Sequence, residues 1–157
     1  MKTIIKTTVF LIFLIIIVSC DPAYFEDGCH SYAKINNKST FVICTDFTQT
    51  HPDTTIKDIN PLRRGRKIDI GKTGKTIGKL SICWEREISN FHYISIFIFD
   101  ANFMEQNLTN EDFRINETMA LQRYDLTLED LNSLGWTIPY PPDERMKHMK
   151  MYPPYGK

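Results

Sequence analysis

The run from Phe91 to Phe99 (FHYISIFIF) puts apolar side chains on both sides of an extended chain. Ile94, Ile96 and Ile98 fall on one side, and Tyr93, Phe97 and Phe99 on the other. Side chains alternate faces along a strand, so a run that is apolar at both parities leaves no side for water. Such a strand belongs in the middle of a sheet, covered above and below. Any fold open to this chain must supply two layers against it.

The other segments read as shorter strands and caps around that centre. Thr40 to Phe47 alternates, with Phe41, Ile43 and Phe47 on one face and Val42 and Cys44 on the other. A weaker strand over His30 to Ile35 precedes it. The two are separated by Asn36-Asn37-Lys38-Ser39, residue types that favour turns, so a hairpin is expected. Residues 48–65 read as a long polar loop. Ile68 and Ile70 alternate with charged neighbours, Gly71 to Thr76 reads as a turn, and Ile77 to Trp84 as a further strand.

Asp100 is placed to cap a short helix running to about Gln106, and Asn110 or Glu111 to open another ending near Thr118. Leu121 to Asp125 is a strand candidate. Thr127 to Leu134 has the pattern of a short helix, with Thr127 as N-cap, Asp130 three residues on and Gly135 just past its end. Trp136, Ile138 and Tyr140 then alternate as a final strand. Pro139 within it argues for a sheet edge. Leu128, Leu131 and Leu134 form a stripe on the helix that must cover something, which makes Trp136 an expected core anchor. The sum is a mainly β domain, a sandwich or an open barrel, with short helical insertions.

The N-terminus reads as an address. Lys2 and Lys6 precede an unbroken apolar run from Val9 to Val18, too short to span a bilayer and of the right length for a secretory h-region. Ile17-Val18-Ser19-Cys20 resembles a bacterial lipobox. That likeness implies a signal peptide over 1–19, a lipid on Cys20 and anchoring through acyl chains. A tether over 20–28, one domain over 29–142 and a flexible tail over 143–157 complete the expected organisation.

Charge excludes one class of partner. The chain carries 19 Lys and Arg against 19 Asp and Glu. Losing Lys2 and Lys6 leaves a slight acidic excess, so no basic field exists to hold nucleic acid. The cluster Arg145, Lys147, His148, Lys150 and Lys157 reads as a solvated tail, and removing Met149 to Lys157 is expected to cost little stability.

Cys29, Cys44 and Cys83 remain once Cys20 is lipidated. Export permits a disulfide, and spacing alone does not choose among the three pairings. No zinc spacing is present. Gly71-Lys72-Thr73 and Gly74-Lys75-Thr76 resemble part of a phosphate loop, but Arg66 and Asp69 stand where its first glycine belongs. His30, His51, His92 and His148 are scattered. Asp125, Glu129 and Asp130 are explained by capping and solvation. No catalytic residue, cofactor or metal is expected.

Three longer phrases, Ser95 to Ala101 (SIFIFDA), Leu121 to Leu131 (LQRYDLTLEDL) and Gly135 to Pro141 (GWTIPYP), resemble small uncharacterised lipoproteins of Bacteroides-type bacteria. Ile35 to Ser39, His51 to Thr55 and Cys83-Trp84-Glu85 are similar to theirs as well. Gly135 departs from the pattern, which more often has Asn. The resemblance implies a single domain at the cell envelope, with outer-membrane anchoring, and carries no assigned activity. It also implies that Thr54, in Asp53-Thr54-Thr55, is an O-glycosylation site of the kind used on exported proteins in those bacteria. The expected function is a non-enzymatic binding or interaction domain, with an envelope protein or a glycan as partner. Tyr140, Tyr152 and Tyr155 are candidates for its contact surface. The alternative is an envelope hydrolase or an inhibitor of an envelope enzyme.

Overall fold

The computed structural model describes residues 28–48, 67–76, 83–107 and 117–157. Cys20, His51, Thr54, the polar stretch 49–66 and the leader lie outside the described residues. So do 77–82 and most of the helix expected from Asn110.

The described chain is mainly β, as expected. Five strands, Lys67–Ile68 (β3), Ile43–Thr48 (β2), Ile94–Asp100 (β5), Gln122–Leu126 (β6) and Lys150–Tyr152 (β8), lie side by side in that order, all antiparallel. Three more, Thr73–Lys75 (β4), Lys34–Asn37 (β1) and Thr137–Tyr140 (β7), form a second sheet in which β1 runs parallel to β7. The doubly apolar strand β5 is the middle of the five. Its Ile94, Ile96 and Ile98 join Ile43, Tyr124 and Leu126 in a core shared with Ile35 and Ile138 of the smaller sheet. Its Phe97 and Phe99 face the other way, against Cys44, Ala101 and Met104. The packing is that of two layers with no closed barrel.

Among the described residues three short helices accompany these strands. Ala101–Asn107 (α2) starts where expected, because Asp100 Oδ1 accepts from the main-chain N–H groups of Asn102 and Phe103 at 2.8 and 3.1 Å. Leu128–Ser133 (α3) carries the full capping box. The Thr127 hydroxyl accepts from Asp130 N–H at 3.1 Å, and the Asp130 carboxylate accepts from Thr127 N–H at 2.9 Å. Gly135 and Trp136 both take positive φ, 56° each, and swing the chain from α3 into β7. β7 is a sheet edge, as Pro139 requires. Trp136 is 8 % exposed and packs in the core, as expected.

Several expectations are corrected. β1 and β2 do not form a hairpin; they lie in different sheets. The buried Asn37 side chain explains the corner between them. Its amide donates to Phe41 O, Ile68 O and Asp69 O, and its carbonyl accepts from Ser39 N–H and Ser39 Oγ. The turn-forming residues therefore carry the chain between layers instead of folding it back.

The turn expected over Gly71 to Thr76 is confined to its start. Thr73–Lys75 is a strand, and Gly74 lets Ile68 sit against it: a Cβ there would come within 2.5 Å of Ile68 Cγ1. The expected strand ending at Trp84 is replaced, within the described residues, by helix Trp84–Phe91 (α1). Trp84 and Ile88 share its buried face, and Glu85 and Glu87 sit in its first turn, where the helix dipole favours them. His92 closes it in the left-handed region, with its N–H on Ile88 O at 2.6 Å.

The C-terminus is the largest correction. Residues 143–157 are not a free tail. A 3-10 turn over Glu144–Met146 buries Met146 completely, and β8 pairs with β6 and buries Met151. The domain thus extends to at least Tyr152.

β8 also helps to close a buried polar knot on the Phe97 side of the sheet. Asp125 is fully buried and accepts from Ser95 Oγ at 2.7 Å. Arg123 Nε stands 3.2 Å from one of its oxygens, and Lys150 Nζ 3.3 Å from the other. Removing one member of a buried charge cluster strands the rest. Lys150 and Arg123 both reach water in part, which limits the loss. Asp125→Ala is therefore expected to lower stability by about 3 kcal/mol, the low end for broken buried pairs. Urea denaturation measures it, and an unchanged midpoint would show that the knot contributes nothing.

Candidate functional site

Among the described residues a group of chemically active side chains gathers around Cys29 and the start of α1. Cys29 and Cys83 are disulfide-bonded, with their Cα atoms 5.4 Å apart. The bond joins the start of the domain to the N-cap of α1 across a separation of 54 residues. A loop of that length corresponds to about 4 kcal/mol of denatured-state entropy in the chain model. This resolves the three-way choice left open by spacing. Cys44 stays free on the opposite face of the large sheet, where burial pushes its thiol up to about 12. It is a packed apolar residue at neutral pH.

Glu85, in the first turn of α1, ties the region together. One carboxylate oxygen accepts from His30 N–H at 2.8 Å and lies 3.4 Å from Cys83 Sγ. The other lies 2.5 Å from His30 Nδ1. The main chain reinforces the pairing, since Trp84 N–H donates to His30 O at 2.8 Å. The His30 ring stacks on Trp136, with centroids 3.8 Å apart and planes within 10°. Trp136 is held in turn by its indole N–H on Asn132 Oδ1 at 3.0 Å and by Trp84 beneath it. The imidazole is thus fixed in plane by the indole and in rotation by the carboxylate.

This arrangement can staple, orient an imidazole at the surface and present sulfur and oxygen atoms close together. Cys29 Sγ, Cys83 Sγ and a Glu85 carboxylate oxygen all lie within 4.8 Å of one another. Sequence reading named Cys29 and Cys83 but missed Glu85 and His30 as a pair. The signal available was slight: a His directly after one cysteine and a Glu two residues after another.

The other candidates are dispersed. His92 lines an open depression of about 530 Å³ between α1 and α3, with Ser89, Tyr93, Thr127 and Glu129. His148 is exposed in the C-terminal segment. Of the three tyrosines expected on a contact surface, Tyr140 is buried at 7 % exposure, while Tyr152 and Tyr155 are exposed. Tyr152 carries the Arg123 guanidinium over its ring at 4.1 Å. The phosphate-loop likeness dissolves, because Gly74 and Lys75 are strand residues paired with β1. Among the described residues no helix is long and apolar enough to cross a membrane. Compared with known proteins, the chain matches no family model, no curated protein and no solved structure.

Proposed function

We propose that this chain is a lipid-anchored protein of the bacterial cell envelope whose single β domain serves as a binding module for an envelope protein or glycan. The observation that carries the reading is the Cys29–Cys83 disulfide immediately after the tether. Disulfides form and persist in oxidising compartments, which agrees with a leader that ends in Ile17-Val18-Ser19-Cys20. Lipid on Cys20 holds the domain at the membrane surface. Exposed Tyr152 and Tyr155 beside the β8 edge supply amphipathic contact area of the kind enriched at interfaces. The depression beside His92 is open, which suits contact with a surface better than enclosure of a small substrate.

The test is metabolic labelling with an alkyne fatty acid. The wild-type protein is expected to take up label and fractionate with membranes, and Cys20→Ala to do neither. Equal labelling of the two would defeat the anchoring. Crosslinking of intact cells followed by recovery of the protein then reads the partner. Recovery of the same partner by Tyr152→Ala and Tyr155→Ala variants would remove those residues from the contact surface.

A further inference from the structure

The cluster at the start of the domain has a second use. We propose that Cys29, Cys83 and Glu85 form a Zn²⁺ site that exists only when the disulfide is reduced, with His30 as the residue that positions Glu85. The proposal does not rest on the envelope assignment.

Zn²⁺ takes thiolate sulfur at about 2.3 Å and carboxylate oxygen at about 2.0–2.2 Å, in a tetrahedron. Ligand atoms on such a tetrahedron stand roughly 3.3–3.8 Å apart. Here the two sulfurs and the carboxylate oxygen already lie within 4.8 Å of one another, with Cys83 Sγ 3.4 Å from Glu85 Oε2. The atoms come from two chain segments held together independently of the disulfide. His30 N–H reaches Glu85, Trp84 N–H reaches His30 O, and the His30 ring lies on Trp136. Breaking the sulfur–sulfur bond therefore leaves the ligands near one another.

Glu85 also has the outer partner expected of a metal-bound carboxylate, since His30 Nδ1 lies 2.5 Å from its second oxygen. Three protein ligands leave a fourth position for water, on the side where His30 and Glu85 reach solvent. Two thiolates and a carboxylate favour a borderline-soft ion over Mg²⁺ or Ca²⁺. Cys44 does not compete, being buried on the far face of the sheet.

The chemistry balances in two steps. A dithiol reductant transfers two electrons and two protons to the Cys29–Cys83 bond, which becomes two thiols while the reductant closes its own disulfide. Zn²⁺ then displaces the two thiol protons to solvent and forms two Zn–S bonds and one Zn–O bond. Reoxidation expels the metal.

The experiment uses the chain with its Cys44→Ala substitution, reduced by a water-soluble phosphine and desalted under nitrogen. The phosphine leaves as its oxide. Zn²⁺ binding is read by competition with a chromogenic chelator. Co²⁺ substitution reports the ligand set through its sulfur-to-metal charge-transfer band. The reduced protein is expected to bind one Zn²⁺ per chain and the oxidised protein none. Cys83→Ser abolishes binding. Glu85→Gln and His30→Ala each weaken it by about 10–100-fold, the usual effect of a lost ligand or outer partner. If the reduced chain loses structure and Zn²⁺ restores it, the site is supported, because metal binding then drives folding. Three results overturn the proposal: no stoichiometric Zn²⁺ on the reduced chain, equal binding by the oxidised chain, or binding indifferent to both Glu85→Gln and His30→Ala.

Discussion

Replacing Trp84 by alanine is expected to cost about 4 kcal/mol of stability, within the range for buried aromatic residues. Trp84 is fully buried at the start of α1 and lies 5.2 Å from the Phe47 ring and 6.2 Å from the Trp136 ring, centroid to centroid. It is the contact through which β2, α1 and the turn into β7 meet. Alanine leaves a cavity that three separate elements would have to close together, and partial collapse sets the size of the loss. Phenylalanine is expected to behave differently. The Trp84 indole N–H is buried with no acceptor among the described residues. A buried donor without a partner costs about 1–3 kcal/mol, so removing it offsets part of the lost packing. Trp84→Phe should therefore lose no more than about 1–2 kcal/mol by this balance. Urea denaturation of both variants reads the difference. Equal losses for phenylalanine and alanine would show that the unpartnered N–H has no influence.

A chain ending at His148 should lose about 4 kcal/mol or more, from a buried methionine and a strand pairing together. The deletion removes Met151 from the core, three residue pairs with β6 and the Lys150 ammonium beside buried Asp125. It also exposes the hydrogen-bonding edge of β6, which invites pairing with other chains. A fall in melting temperature of about 15 °C, or loss of a cooperative transition, is the expected result. A fall of less than about 4 °C would show that β8 is an ornament on a domain already complete. Met151→Ala in the full-length chain separates the two contributions, because it keeps the strand and the lysine and removes only the apolar side chain.

The parts of this fold that were legible in the sequence are those decided by neighbours in the chain. β5 announces itself because seven residues carry enough apolar side chains to fix both parities. The cap at Asp100, the capping box from Thr127 and the edge position of Pro139 rest on bonds, or on a missing N–H, within three residues. Helix α1 was not legible because it has only three apolar points, Trp84, Ile88 and Phe91, and the last of them reads equally as the start of the apolar run that follows. The C-terminal strand was hidden for a related reason. Met146, Met149 and Met151 are interspersed with Lys and His, and what buries Met146 and Met151 is β6 and the core, far away in sequence. The parallel contact of β1 with β7 carries no local signature at all.

The candidate site divides in the same way. The residue types in it were visible, but their meeting was not. His30 and Glu85 are 55 positions apart, and the pairing of Cys29 with Cys83 over Cys44 depends on which face of β2 each thiol lies near. Cys44 alternates with Ile43 in β2, which sends its thiol to the Phe99 side and away from the others. That alternation was readable, and it would have favoured the observed pair had the sheet order been known.

The β1–β7 pairing also governs the order in which the molecule can be completed. Ile35 lies opposite Ile138, about a hundred residues further along. Closing so long a loop costs entropy before any contact repays it, and folds dominated by such contacts form slowly. A chain emerging N-terminus first therefore holds β1 without its parallel neighbour until nearly the whole polypeptide is out. Strand β5, with apolar side chains on both faces, appears well before β6, β7 and β8 arrive to cover it. A chain that stops before Gln122 is therefore left with its most apolar strand short of the partners that bury it.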